Sequence, residues 1–464
     1  MRKPLIGVIG VTAGLYKEKI PDFVDNLDRY FKCFVKENFW FADTISFPAL
    51  YARDKVDKSF QEMEKLNVDG VIIIFLSYSP SLIIEPVLKK YNIPVLIWNT
   101  QQIMEISENF SGEDMMNNHG MHGVQDLTSL LLRNKIPFSL ITGHSKQKDT
   151  LLEVEKWCRC ACVANDLQRI RVGRIGGIFK DMGDFSVPNS FIKKNLGPTV
   201  INIDINHLSE SAGNVPRKVI QKTMMDDKKK YIIDNNLDDK TLENEIRLEY
   251  GIRKFIEEYR IEAITINFTC FKGKYGCEAI PFASISKMMS EGVGYAGEGD
   301  ALGAISVWIL NKLAKTAMFT EMFSTDYKNN RIFMSHMGES NLLMAKNPEE
   351  IKLIKKDMSI SCANTSTAMF LFQLKPGNIT LFNLAPCGEN GFRMITTNGY
   401  IEDTKLFPDI TAPHFLLRID GDVRKFLTDY SLLGGTHHLA MAYGDFTDDI
   451  RMLSDILGME FFKI

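Results

Sequence analysis

The chain has 464 residues, more than one ordinary core accommodates, so two or three domains are expected. Hydrophobic residues make up 45 % and charged residues 24 %, the mix of a soluble globular protein. Lys plus Arg is 55 against 58 Asp plus Glu; the net charge of -3 excludes bulk attraction to nucleic acid or an anionic membrane.

The N-terminus, MRKPLIGVIGVTAG, pairs a basic start with a short apolar run. Gly and Thr end that run too early for a signal peptide, and an amphipathic helix follows, so it reads as a first buried strand. The longest apolar runs, such as GVIIIFL at 70–76, fall far short of the roughly 20 residues that span a bilayer. A cytoplasmic protein is the expectation.

Over the first 145 or so residues strand and helix patterns alternate. LIGVIGV (5–11), FVKENFW (34–40), GVIIIFL (70–76), PVLIWN (94–99) and FSLITG (138–143) read as strands. KIPDFVDNLDRYFKCF, VDKSFQEMEKLN, PSLIIEPVLKKY and a stretch near 122–134 read as helices. Apolar strands between amphipathic helices indicate a parallel sheet covered on both faces. Ligands then bind beyond the strand C-termini, where Thr12, Ser77, Tyr78, Ser79, Asn99, Thr100, Gln101 and His144 form a polar rim.

A helix near 148–168 carries Cys158, Cys160 and Cys162. A spacing of two does not share a helical face, so these are either small packing residues or, less simply, part of a metal site. With no CxxC pair or disulfide framework, the eight cysteines fit a reducing compartment. Strands near 170–177, 198–204 and 262–268 alternate with charged helices at 216–233 and 240–259. Their DDKKK run (226–230) reads as a solvated helix face. From about residue 320, β-like runs dominate: RIFMSHM, AMFLFQL, ITLFNLA, GFRMITT and HFLLRI. Pro376-Gly377-Asn378, Gly388-Glu389-Asn390-Gly391 and Asn398-Gly399 read as turns between them, predicting an antiparallel sheet or barrel. A short helix (447–457) and a strand, MEFFKI, end the chain.

EGVGYAGEGD (291–300) contains G-x-G-x-x-G at Gly292, Gly294 and Gly297. A dinucleotide loop must follow a strand and open a helix. The pattern before Gly292 is helical, with Pro281 at its start, and the pattern after Asp300 is helical too. The glycines therefore read as a corner joining two helices, which brings Glu298 and Asp300 into view.

Candidate ligands are scattered. His437 and His438 are adjacent, His336 lies in MSHMGES, and His119 and His122 lie in NNHGMHG. Each alone suits a structural role. Glu321, in FTEMF, is an acid among apolar neighbours. If Glu298, Glu321, His336 and His438 converged, two carboxylates and two imidazoles would suit Mn²⁺ or a related divalent ion.

Read together, these segments resemble the L-arabinose isomerase / L-fucose isomerase family, and its L-arabinose isomerases most closely. The similarity rests on Gly294-Tyr295-Ala296-Gly297-Glu298-Gly299-Asp300, on Ile280-Pro281 through Met289 before it, and on Glu321 after the next helix. It continues through Ser335-His336-Met337 with Glu339, Gly435-Thr436-His437-His438, His122-Gly123 and Ile141-Thr142-Gly143-His144. The resemblance implies an α/β chain of two consecutive Rossmann-like, flavodoxin-like domains with parallel sheets (1–147 and 148–316), then an antiparallel β-barrel-like domain (317–464). It implies a metal-dependent aldose–ketose isomerase. Glu298, Glu321, His336 and His438 would hold Mn²⁺ or another divalent ion such as Co²⁺, with the two glutamates as acid/base pair. His122, reaching the sugar site from a neighbouring subunit, with Tyr78, Leu15 and His437, would contact the sugar. The assembly would be a trimer or hexamer.

Isomerisation needs a base to remove a proton alpha to a carbonyl, an acid to return one, and a cation for enediolate charge. Two departures bear on the substrate. The family's first loop carries a sugar-contacting Gln where Thr12-Ala13-Gly14-Leu15-Tyr16 has Ala13, and Glu321-Met322-Phe323 replaces a Glu-Asp-Tyr. The expectation is an isomerase whose sugar differs from, or extends beyond, L-arabinose. The competing readings are a non-catalytic sugar-binding or regulatory protein, and a metal-dependent hydrolase or epimerase.

Overall fold

The computed structural model describes residues 2–271, 279–358 and 366–464. They form two compact units. One runs to Asp166 and takes in Arg451–Gly458; the other comprises Leu167–Ile450 and Met459–Ile464. Among the described residues no helix is long and apolar enough to cross a membrane.

The first unit is built on five parallel strands: β1 (Leu5–Val11), β2 (Asp43–Leu50), β3 (Gly70–Phe75), β4 (Val95–Asn99) and β5 (Ser139–Thr142). Their order, β2-β1-β3-β4-β5, is that of flavodoxin-like sheets. The interior positions of β1 and β3 are buried on both faces, hence their unbroken apolar runs. FVKENFW is not a strand. The helix Pro21–Asn38 runs through most of it, because Val24, Leu27, Phe31, Phe34 and Val35 recur at helical spacing and bury one stripe. The strand that follows, DTISFPAL, occupies the sheet edge, where Pro48 removes no interior ladder bond. The Cys158, Cys160 and Cys162 side chains are fully buried, and burial pushes the Cys162 thiol up to about 12; they pack as neutral thiols.

The second unit carries β6 (Arg171–Ile175), β7 (Thr199–Ile203), β8 (Ile232–Ile233), β9 (Ala263–Ile266) and β10 (Gly294–Gly297). Four of these form a parallel sheet in the order β10-β9-β6-β7. The glycine corner therefore does not join two helices directly: β10 lies between the helices Phe282–Ser290 and Ala301–Ala314 and pairs with β9. Its sequence, Gly-Tyr-Ala-Gly, is too short and too small to show an apolar run. The glycines serve close approach instead, since a Cβ on Gly294 would lie 2.5 Å from the Ala304 carbonyl. Gly292 thus precedes the strand and Gly294 and Gly297 lie inside it, and the loop that would cradle a pyrophosphate is absent among the described residues. The DDKKK face is also less solvated than its letters suggest. Asp227 is buried and takes the Lys287 ammonium at 2.7 Å, which Glu249 shares at 2.8 Å.

The remaining strands are β11 (Met318–Asp326), β12 (Arg331–Ser335), β13 (Lys352–Asp357), β14 (Ser366–Leu371), β15 (Gly377–Pro386), β16 (Phe392–Ile401), β17 (His414–Ile419), β18 (His438–Tyr443) and β19 (Glu460–Lys463). Seven make a mostly antiparallel sheet, β15-β18-β11-β12-β17-β16-β19, in which β15 also pairs with β16. The chain-terminal β19 runs parallel to β16. β13 joins β14 and β8 in a smaller sheet. Asn398-Gly399 is not a turn: it lies within β16, opposite Thr380 and Ile379. Gly399 admits the neighbouring strand, for a Cβ there would lie 2.8 Å from the Arg418 carbonyl.

Candidate active site

Strand register assembles half of the site. Glu321 on β11 stands opposite His438 on β18 and opposite Ser335 on β12. Directly opposed residues project from the same sheet face, so Glu321 and His438 meet: Glu321 Oε1 lies 2.9 Å from His438 Nε2. Phe319, two residues before Glu321, shares that face and packs edge-on against His336 at 4.5 Å and His438 at 4.7 Å. His336, just past the end of β12, brings Nε2 to 3.6 Å from Glu321 Oε1.

The corner after β10 supplies Glu298. Its φ is +62°, a left-handed conformation unusual for a residue with a side chain. It is held by Glu298 N–H donating to Ile266 O at 2.8 Å and by Phe179 N–H donating to Glu298 O at 2.9 Å. Both flanking glycines are required: a Cβ on Gly297 would press on His336 Cε1 at 3.1 Å, and one on Gly299 would strike Gly177 O at 2.1 Å. The backbone is strained in order to present a carboxylate. Glu298→Gly should therefore be more stable than Glu298→Ala by about 1 kcal/mol in thermal unfolding, since both lose the carboxylate and only glycine is free of the left-handed strain.

Each imidazole is fixed by a carboxylate behind it. His438 Nδ1 meets Asp300 Oδ2 at 2.9 Å, with both side chains fully buried. His336 Nδ1 meets Glu339 Oε2 at 2.6 Å, and Tyr295 Oη donates to the other Glu339 oxygen at 2.5 Å. His437 Nδ1 meets Asp184 Oδ2 at 2.7 Å. In all three the second nitrogen is left to face Glu298 and Glu321. His437 Nε2 is 3.4 Å from Glu298 Oε2 and 3.7 Å from Glu321 Oε1. This carboxylate–imidazole backing is the arrangement that orients metal-binding histidines. Donor atoms of Glu298, Glu321, His437 and His438 all lie within 4.8 Å of one another. His438 Nε2 is buried and has no hydrogen-bond partner, although Glu321 Oε1 lies 2.9 Å away.

Without a cation, protons do the balancing. Burial disfavours the His437 imidazolium, but Asp184 and Glu298 outweigh that and bring its pKa to about 10. Burial likewise opposes charge on His336, and Glu339 and Glu321 overcome it to reach about 9. His438 is raised against its own burial by Asp300 and Glu321. Burial alone would lift the Glu321 carboxyl; His336 and His438 more than offset it, so its pKa falls below the ordinary value. A cavity of about 40 Å³ beside Glu298 and His336 is walled largely by Phe268, Phe282, Ile285, Met337 and Met358.

Leu15, Tyr78 and His122 belong to the first unit. There Tyr78 stacks on His119 with ring centroids 6.4 Å apart, and His122 meets the same ring edge-on at 5.7 Å. Tyr16 Oη bonds His119 Nε2 at 3.2 Å, and Leu15, beside it, is exposed. His119 is thus the hub of this cluster, although the family resemblance points to His122. Asp184 was missed: IFKDMGDFSV has no periodicity or motif that marks one of its carboxylates.

Three family models match the chain: the L-arabinose isomerase N-terminal domain over residues 24–169, the central domain over 191–316, and the C-terminal domain over 316–460. The L-arabinose isomerase of Thermotoga maritima is 24 % identical over 413 residues, 85 % of this chain and 82 % of that protein. That of Erwinia tasmaniensis is 22 % identical over 403 residues, 84 % of this chain and 79 % of its own. A solved ABC sugar transporter subunit from Rhodobacter sphaeroides, 10 % identical, covers 59 % of this chain and 82 % of its own at a TM-score of 0.17, too low to support an argument.

Proposed function

Because the chain belongs to the L-arabinose isomerase family and is a sugar isomerase, an intramolecular oxidoreductase, we propose that it interconverts an open-chain aldose and ketose at a divalent-metal site of its second unit. The observation that carries this reading is the convergence of Glu298 and Glu321 with imidazoles that are each locked from behind by a carboxylate.

The donor set fits a divalent cation such as Mn²⁺ or Co²⁺: carboxylate oxygens, imidazole nitrogens and one buried, unpartnered Nε2. Glu298, Glu321, His336 and His438 would hold it. His437 completes the tighter geometric group, yet its side chain is 40 % exposed whereas that of His336 is 5 % exposed. That difference suits His336 to a ligand role and His437 to contact with the sugar. When bound, the ion supplies Lewis-acid polarisation of the sugar's carbonyl oxygen.

The remaining work falls to the chain. Glu321, kept ionised by the neighbouring imidazoles, can accept the proton alpha to the sugar carbonyl at a carboxylate oxygen. Glu298, held rigidly at the corner, shares the acid/base work and returns a proton to the adjacent carbon. The aromatic rings of Phe319 and Phe185 around the histidines limit access of water.

The reading extends to three domains (1–147, 148–316, 317–464), in keeping with the three consecutive family matches, and to a cytoplasmic homo-oligomer, trimer or hexamer. Leu15, Tyr78 and His122 are assigned to the sugar periphery, with Ala13 in place of a sugar-reading Gln, so the substrate differs from or extends beyond L-arabinose. Incubation with Mn²⁺ and a panel of aldopentoses and aldohexoses, scored for ketose, tests this. Turnover of at least one aldose is expected, with L-arabinose not the fastest; sugar binding without ketose from any of them would favour the non-catalytic alternative.

A further inference from the structure

We propose that Asp184 is a positioning residue for the isomerisation: through His437 it directs a single imidazole nitrogen at the Glu298/Glu321 pair. The inference rests on the isomerase reading above.

Asp184 lies on the loop between β6 and the helix Asn189–Asn195. Its Oδ2 accepts two bonds from one residue, from the backbone N–H of His437 at 3.0 Å and from the ring Nδ1 at 2.7 Å. The first fixes the chain, the second the ring. With the Nδ1 proton committed to Asp184, only Nε2 faces the carboxylate pair. The residue before His437 is already anchored, with Thr436 N–H donating to Asn383 Oδ1 at 3.2 Å and Asn383 Nδ2 donating to Thr436 Oγ1 at 2.6 Å. What the tether governs is the ring, for a 40 % exposed imidazole has other rotamers within reach. The next residue, Phe185, is buried and stacks on His438 at 5.1 Å with 13° between planes, while packing against His437 at 5.5 Å. Asp184 and Phe185 thus hold neighbouring histidines in register, while Asp300 independently fixes the other face of His438. The consequence is geometric: Nε2 of His437 is placed where a sugar oxygen must be oriented against both carboxylates, and a displacement near 1 Å costs about 100-fold in rate.

The test makes Asp184→Ala and His437→Gln singly and together in the full-length protein with Mn²⁺. Asp184→Ala is expected to lower kcat/KM about 10-fold to 100-fold, more through kcat than KM, with Mn²⁺ affinity unchanged. In the His437→Gln background it is expected to cost nothing further. An equal loss in both backgrounds, or none in the wild type, overturns the proposal. The ¹⁵N imidazole spectrum of His437 in protein loaded with diamagnetic Mg²⁺ or Zn²⁺ in place of Mn²⁺, recorded above the pH at which the ring loses its second proton, reads the tether without turnover: a fixed Nδ1–H tautomer in the wild type, a tautomer mixture in Asp184→Ala. An unchanged spectrum also overturns it. A wild type that makes no ketose fails the isomerase reading instead, and the nitrogen spectrum then decides the tether by itself.

Discussion

Glu298→Gln is expected to cut ketose formation by at least about 10³-fold while leaving the fold intact, measured as kcat/KM beside circular dichroism and thermal unfolding. The substitution keeps shape and the left-handed backbone, since the bonds that hold the corner, to Ile266 O and from Phe179 N–H, are main-chain bonds. It removes the negative charge from a position 3.4 Å from His437 and 3.6 Å from His438. An amide can neither hold nor return the proton that the acid/base pair passes to the adjacent carbon, and it is a poor ligand for a hard divalent ion. Unchanged activity would remove the assignment of Glu298.

Asp300→Asn is expected to damage both stability and metal binding. Asp300 is fully buried and carries two duties: it caps the helix Ala301–Ala314 by accepting from Gly303 N–H at 2.9 Å, and it holds His438. Asn preserves the cap acceptor. It does not balance a buried imidazolium, and breaking such a pair costs about 3 kcal/mol. Loss of the partner behind a metal-binding histidine weakens metal affinity about 10-fold to 100-fold. Thermal unfolding and Mn²⁺ titration read the two effects. A variant as stable and as tight-binding as the wild type would show that Asp300 only caps the helix.

Much of this was legible in the chain because period and burial are local. The unbroken runs of β1 and β3 announced a doubly covered parallel sheet, and the apolar β runs after residue 320 announced the antiparallel one. Where local signals conflicted, tertiary context decided. Phe34 and Val35 look like a strand until joined to Val24, Leu27 and Phe31 on one helical stripe. Asn398-Gly399 looks like a turn until β17 is seen to need the missing Cβ. The short strand β10 is nearly invisible because Gly294, Ala296 and Gly297 are small, Gly294 for the sake of the helix packed over it. At the site, Glu298 and Glu321 stood out as acids beside glycine or apolar neighbours. His438 and Asp300 were marked by their neighbours too, but Asp184 was not, for only loop placement brings it to His437, 253 residues away, and no spacing records that.

The most direct test of the account is ketose formation by the wild-type protein stripped of metal with a chelator and then reloaded with Mn²⁺. In the metal-free state the Glu298/Glu321 charges are balanced by protons on His336 and His437, with pKa values of about 9 and 10, so reloading displaces protons and is favoured as pH rises towards those values. Turnover of the responsive aldose is expected to vanish on stripping and to return on reloading, in step with the metal bound. Undiminished ketose formation by protein shown to be free of metal would contradict it.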